Sequence, residues 1–359
     1  MRTLMFNHPT ESVGRLIAQT LAGSWRATPP RLELEATELS AITPQLLGAG
    51  TAGLAWRRVR DSPLKDTPSA AELRSQYERN TVLAVIQRKG IESIFGALNS
   101  AGIESMLVKG LAAAHLYGDV GLRPYVDADV CVAQRQMAAA QVVLKRMAAT
   151  GVTVDLHREF ATLGGGDWEE IYSRSQLMTL GESEARIPSA EDHLRILSIH
   201  MLREGAWRPL WLCDVAAAVE SRPANFDWNI CAGPSRQTSN WINCALKLAH
   251  ELLGAHITGT PAAGDSKPLP EWLTGTVLRE WGATAPTMTL RHQSPMASHL
   301  RSPRTLLPGF RHRWPNAIEG TIVSRALFND LPRFPFQLTA YMMRGAHFAL
   351  GLSKFQRDR

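Results

Sequence analysis

The stretch RPYVDADVCV, residues 123–132, limits what this chain can fold into more than any other segment. Read as a β-strand, it turns Asp127, Asp129 and Cys131 to one face and Val126, Ala128, Val130 and Val132 to the other. The apolar face asks for a core beneath it. The carboxylate face is harder to place, because two acids side by side on a mostly apolar element repel each other and resist burial.

The neighbouring sequence supplies the rest of a compact α/β unit. ESMLVKG is a short strand pattern closed by Gly110, and LAAAHLYG is a short helix that Gly118 ends. DVGLRPY is a loop, since Pro124 excludes a continued helix. AQRQMAAAQVVLKRMAATG is an Ala-rich helix stopped at Gly151, and VTVDLHREF is a third strand. Upstream, Thr67-Pro68-Ser69 opens a long helical stretch whose apolar stripe is read as Leu73, Tyr77, Val82, Val85, Ile86 and Leu98, with Gly90 as a point of interruption.

The third strand repeats the logic of the second. Thr153, Asp155 and His157 share one face, while Val152, Val154 and Leu156 share the other. If the two strands are neighbours in one sheet, Asp155 sits beside Asp127 and Asp129. Three converging carboxylates need positive charge, and hard oxygen ligands of this kind suit Mg²⁺ or Mn²⁺ completed by substrate phosphates. Lys109 and Gly110 stand where the first strand gives way to a helix: the glycine lets a phosphate approach the backbone, and the lysine adds a point charge. Arg123, in the loop before the second strand, is placed to pair with a phosphate or a departing pyrophosphate. His157 follows the third acid on the same face, as a contact to the acceptor or a partner of the acids, with simple packing as the other reading.

LVKGLAAAHLYGDVGLRPYVDADVCV followed by VTVDLHREF resembles a bacterial nucleotidyltransferase family of the DNA polymerase beta-like superfamily, an uncharacterised branch. Its pattern is Lys-Gly, then Arg, then Asp-x-Asp, then Asp-x-His. The later PSAEDHLRILSIHMLREGAWRPLWLCDVAAAV is similar to the family's helical half, with Trp211, Leu212 and Asp214 forming its W-L-x-D segment. The likeness runs from about residue 75 to 230. The wider superfamily carries Gly-Ser or Gly-Gly where this chain has Lys109-Gly110, so its triphosphate grip does not transfer unchanged. The resemblance implies an α+β fold: a nucleotidyltransferase-like mixed β-sheet core flanked by helices, with a mainly helical companion domain. It also implies that Asp127 and Asp129 bind the catalytic metals bridging a nucleoside triphosphate, and that Asp155 holds a second metal and orients the acceptor hydroxyl.

Other readings of Asp-x-Asp compete. A calcium loop is disfavoured because Cys131 stands where the third ligand should be and no Gly follows. A phosphatase of the haloacid-dehalogenase type would carry the motif on its first strand. A metal-dependent glycosyltransferase using a nucleotide-sugar stays open, as does a nucleotide-binding scaffold without turnover. His193 and His200 are two turns apart with no i, i+4 partner, and are read as packing. Asp214 is read as a nucleotide or acceptor contact, a cap, or an ion-pair partner of Arg208. The tryptophans are read as core and interdomain packing.

The domain reading is 1–70 as an N-terminal helical and irregular region, 71–180 as the nucleotidyltransferase core, 181–260 as a helical domain and 261–359 as a basic region packing on the core. In that last region LRSPRT, GFRHRW and SRALFNDLPRF bring Arg301, Arg304, Arg311, Arg313, Arg325 and Arg333, and Arg344 follows. A net charge of +6 favours anionic partners without choosing among them. Four cysteines with no C-x-x-C pair argue against a zinc site or a disulfide framework and for a reducing, cytoplasmic setting. The apolar LLGAGTAGLAW falls short of the roughly 18 residues a membrane span needs. The expected activity is Mg²⁺-dependent (or Mn²⁺-dependent) transfer of a nucleoside monophosphate from an NTP to a small molecule, peptide or protein, with peptide tailoring as one setting and nucleic acid disfavoured as acceptor.

Overall fold

The computed structural model describes residues 9–160, 165–283 and 314–357, with side chains through residue 346. Three helices, α1 (Pro9–Leu21), α2 (Ala36–Gly48) and α3 (Ala52–Val59), lead into the long α4 (Pro68–Ser100). The start of α4 follows from local chemistry: the Thr67 side chain accepts from the Ala70 N–H, and Pro68 fills the first turn, where its missing N–H costs nothing. The strand region follows as β1 (Ser105–Val108), α5 (Gly110–Ala114), β2 (Asp127–Val132), α6 (Met137–Arg146), β3 (Thr153–Arg158), α7 (Trp168–Ser173), β4 (Gln176–Leu180) and β5 (Ser183–Ile187). Gly151 takes the left-handed conformation at the end of the α6 segment, with φ 72°. The chain then returns to helix: α8 (Ala190–Arg203), α9 (Pro209–Glu220), α10 (Trp228–Ala232), α11 (Arg236–Leu253), α12 (Pro261–Gly264) and α13 (Glu271–Gly282), with further helices over Ala317–Val323 and Phe334–Arg357.

The five strands form one mixed sheet in the order β3-β2-β1-β5-β4. β1 pairs antiparallel with β2 and parallel with β5, and β2 pairs parallel with β3. Ala128, Val130 and Val132 of β2 pack with Leu107 against Ile91, Ile94, Phe95 and Leu98 of α4. The opposite face carries Met106, Val108 and Cys131 onto Phe160, Trp168, Ile171 and Ile196. The alternation along β2 therefore buries both faces, and the aspartates emerge only at one end of the strand.

Two sequence readings change here. Val82, Val85 and Ile86 were expected in the buried stripe of α4, yet they are 61%, 61% and 60% exposed. The helix is 33 residues long and serves two cores in turn: Leu73 packs with α2 and α3, while Ala84 and the residues from Ile91 onward pack on the sheet. The contact face shifts between the two, which leaves the middle of the opposite side bare. Gly90 does not interrupt the helix; a Cβ there would lie 2.3 Å from the Val152 Cγ2, so glycine permits the close approach to the start of β3.

Residues 176–187, which the sequence reading did not see as strands, form the β4–β5 hairpin, whose turn is Gly181-Glu182. Gly181 has φ +62°, and the Glu92 carboxylate of α4 accepts the Glu182 N–H at 3.1 Å. β5 lies past residue 180, so the sheet extends into the segment read as helical.

The largest core is helical and draws on both ends of the chain. Ile17, Leu21, Leu39, Ile42, Leu46 and Leu54 share it with Leu197, Leu212, Val215, Leu246, Leu278 and Phe328. At the crossing of α1 and α13 the backbones nearly touch: a Cβ on Gly14 would fall 2.1 Å from the Leu278 carbonyl oxygen, and one on Gly282 would fall 1.8 Å from that of Thr10. The helix Ala317–Val323 packs against α8 and α13, that is, on the helical layer. Within the basic region, Arg344 pairs with Glu319, and Arg333 lies over Trp272 and Phe336. Arg301, Arg304, Arg311 and Arg313 lie outside the described residues.

Candidate active site

The parallel pairing of β2 with β3 sets Asp129 opposite Asp155 and Cys131 opposite His157. All three acids named from the sequence line one cavity of about 420 Å³, together with Lys109, Gly110 and His157. That volume lies in the ~300–1,000 Å³ range of small-molecule sites.

Asp129 is the hub. Its Oδ1 receives the Lys109 Nζ at 2.6 Å and faces the His157 Nε2 at 2.9 Å; the same imidazole nitrogen is 3.2 Å from the Asp155 Oδ2. Burial alone would raise the Asp129 pKa, but the His157 hydrogen bond and the Lys109 charge outweigh it, and the net shift is downward. Asp127 moves the other way: burial first, then the neighbouring Asp129 charge, holds its pKa above the usual carboxylate range. It is a carboxylate short of positive charge. Asp155 is the open member, its side chain 57% exposed.

The backbone at the end of β1 is unusual. Lys109 has φ 52° and ψ −137°, a region that residues with a Cβ rarely occupy, and Gly110 follows at φ +25°. This turn carries the Lys109 side chain to Asp129. A Cβ on Gly110 would sit 3.2 Å from the Asp127 carbonyl oxygen and 3.9 Å from the Asp129 Oδ2, so the glycine keeps the acid end of the cavity clear.

Asp129, Asp155 and His157 offer ligand atoms that all lie within 4.8 Å of one another. Two carboxylates and an imidazole suit a divalent cation of the Mg²⁺ or Mn²⁺ kind, with nitrogen favouring the softer ion. The uncompensated Asp127 beside them points the same way.

Arg123 lines the cavity, but its charge is already engaged. Its Nη2 and Nε donate to the two oxygens of Asp214 at 2.8 and 3.0 Å, and the Tyr117 hydroxyl donates to the same carboxylate at 2.8 Å. The Asp214 side chain is fully buried and that of Arg123 is 7% exposed. Asp214 is thus the partner of Arg123 and not of Arg208.

The second wall comes from the end of α8 and the start of α9, and the sequence reading did not place it at the site. His200, Arg203, Glu204, Arg208 and Trp211 line the cavity. The His200 and Trp211 rings meet edge to face at 4.8 Å, and the Arg208 guanidinium lies 5.9 Å from the Trp211 ring centre. Burial, then the Lys109 charge, lowers the His200 pKa to about 3, which keeps the ring neutral. Spacing held the signal: His200, Arg203 and Glu204 fall at i, i+3 and i+4 at the end of α8, and Arg208 stands just before α9, three residues ahead of Trp211. His193, by contrast, is buried away from the cavity.

A mixed sheet carrying two acids and a facing third at one strand end, closed by a helical layer, defines an α+β protein of the nucleotidyltransferase-like kind. The sequence profile of a family described as uncharacterised nucleotidyltransferases matches residues 36–254, more than half of the chain. The chain belongs to that family. Among curated proteins none matches. A solved structure of an antigenic nucleotidyltransferase-like protein from Paracoccidioides brasiliensis is similar at 15% identity, covering 52% of this chain and 95% of that one, with a TM-score of 0.31. Among the described residues no helix is long and apolar enough to cross a membrane.

Proposed function

We propose that the protein transfers a nucleoside monophosphate from a nucleoside triphosphate to an acceptor, with release of pyrophosphate, in a reaction that needs Mg²⁺ or Mn²⁺. The observation that carries this reading is the register of β2 and β3, which sets Asp129 against Asp155 beside Asp127 in one cavity. Asp129, Asp155 and His157, with Asp127 next to them, would hold the cation. Bound there, it would offset the charge of the phosphate oxygens and of the departing pyrophosphate.

The chain's own residues supply the rest. Gly110 leaves the acid end open to a phosphate. Lys109 adds a point charge that the Asp129 contact orients. Asp155, on the open side of the cavity, would orient the acceptor hydroxyl. The acceptor is a small molecule, a peptide or a protein. All four cysteines are free and buried, which fits a reducing cytoplasm.

The test is incubation with Mg²⁺, each α-labelled NTP and an extract as the source of acceptors. Label transfer that disappears in Asp127→Asn and Asp129→Asn is the expected result. Label arriving from a UDP-sugar instead would establish a glycosyltransferase.

A second reading, nucleotide binding without turnover, draws on one observation. The Lys109 ammonium and the His157 ring both occupy Asp129 Oδ1, so internal groups already compensate that acid. NTP binding without pyrophosphate release in any extract would favour it.

A further inference from the structure

The two cations that the sequence assigned to phosphates are both engaged by carboxylates, Lys109 by Asp129 and Arg123 by Asp214. A triphosphate needs positive charge that is not already neutralised inside the chain. On the helical wall Arg203 and Arg208 line the same cavity, and among the described residues neither forms an ion pair. Glu204 shares that wall without pairing with either.

Arg208 is held as a tool is held. Its Nε donates to the Ala49 carbonyl at 2.8 Å, and the plane of Trp211 lies alongside its guanidinium. A Cβ on Gly50 would fall 2.5 Å from the Arg208 Nη2, so only glycine leaves the guanidinium where it stands; Gly50 also has φ +72°. Burial, then the charge of Arg123, lowers the Arg208 pKa to about 10, which leaves it cationic at neutral pH and short of an anion.

We propose that Arg208, positioned by the Ala49 carbonyl, Gly50 and Trp211, grips the β- and γ-phosphates of the triphosphate, with Arg203 flanking it. The inference rests on the nucleotidyl-transfer reading and names where its charge is read. The reacting α-phosphate belongs at the carboxylates, a base needs no guanidinium, and most of the negative charge of the substrate lies in the departing end. The triphosphate grip is then shared between two parts of the chain far apart in sequence, residues 49–50 and 208–211. Gly50 and Trp211 are positioning residues; Arg208 touches the substrate.

The experiment is calorimetric titration of the full chain, in Mg²⁺, with inorganic tripolyphosphate, with each NTP and with the matching nucleoside monophosphate. Charge-assisted hydrogen bonds lost from a guanidinium predict that Arg208→Gln weakens tripolyphosphate and NTP binding roughly 10- to 100-fold. Gly50→Ala weakens them comparably although Arg208 is still present, and Arg208→Lys, which keeps charge but not the planar fork, recovers only part. Monophosphate affinity moves far less in all three. If Arg208→Gln does not fold, the lysine and Gly50 variants carry the test. Wild-type binding of tripolyphosphate that Arg208→Gln and Gly50→Ala leave unchanged would overturn this inference alone, as would equal losses for monophosphate and triphosphate. Failure of the wild type to bind any NTP or tripolyphosphate would remove the nucleotidyl-transfer reading itself.

Discussion

Replacing Asp214 by Asn separates a structural Arg123 from one that serves a phosphate. The Asp214 carboxylate is fully buried and accepts from both Arg123 and Tyr117, so the amide leaves a buried guanidinium facing a neutral group. Breaking one side of a buried pair costs about 3–5 kcal/mol, and the weakened Tyr117 contact adds about 1 kcal/mol. Arg123→Met costs a similar amount, because Asp214 is then the orphan. The double variant Arg123→Met, Asp214→Leu removes both charges and should return much of the loss, short of about 1–3 kcal/mol for the buried Tyr117 hydroxyl left without its acceptor. The assay is urea unfolding of wild type, Arg123→Met, Asp214→Leu and their double variant, taken as a double-mutant cycle with a coupling energy of at least about 2 kcal/mol expected, and of Asp214→Asn beside them. An Asp214→Asn protein within about 1 kcal/mol of wild type would falsify the reasoning. So would a double variant whose loss equals the sum of the singles. If Arg123 gripped phosphate directly, Arg123→Met would instead retain its stability and lose NTP affinity.

Other consequences follow from particular contacts. Gly14→Ala and Gly282→Ala each drive a methyl into a facing carbonyl at the α1–α13 crossing and should each cost about 1–3 kcal/mol or more in denaturant unfolding; a neutral result at both would refute the close approach. Glu220 accepts from Arg26, Trp25 and the His256 N–H, and although burial pushes its pKa up, the Arg26 bond and these others bring it down overall. A depressed folded value means its contribution is complete above the unfolded pKa of ~4.3 and is lost as pH falls through the folded one. Glu220→Gln should therefore lower stability at pH 7 and flatten the acid limb of a pH-stability curve. Mn²⁺ and Mg²⁺ should both raise the melting temperature of the wild type, and His157→Gln should narrow the preference for Mn²⁺, read by thermal-shift titration. Equal Mn²⁺ affinity in the variant would remove His157 from the ligand set.

The carboxylate strands were legible because their information is local. Alternation in VDADVCV and VTVDLH fixes which side chains share a face, and a single assumption, that the strands are neighbours, brings Asp155 to Asp129. The hairpin at 176–187 was missed despite a usable signal: Met178, Leu180, Ala185 and Ile187 alternate inward on either side of a Gly-containing two-residue turn. The stripe of α4 failed for a different reason. Periodicity locates an apolar face, but it does not say that a helix changes partners halfway along, and Val82, Val85 and Ile86 sit where neither core reaches.

The helical wall was harder to read, because the spacing of His200, Arg203 and Glu204 marks a shared face but not the sum of charges that gives that face its meaning. Asp127 and Asp155 bring negative charge to the cavity that no described lysine or arginine pairs with, while Arg203 and Arg208 bring positive charge that forms no ion pair among the described residues, Asp214 and Asp127 acting on Arg208 only at longer range. Internal ion pairs would have been the simpler way to neutralise both, as Arg123 with Asp214 demonstrates a few residues away. Keeping the two signs apart in one partly buried cavity costs stability, and a ligand that carries both signs in the same arrangement relieves the cost. A divalent cation bridged to a polyphosphate is such a ligand. Under the proposed function, its cation would match the acids and its outer phosphates the guanidinium. On this argument, Asp127→Asn should raise the melting temperature of the ligand-free protein slightly while weakening the ligand from the acid end, and Arg208→Gln should weaken the same ligand from the other end.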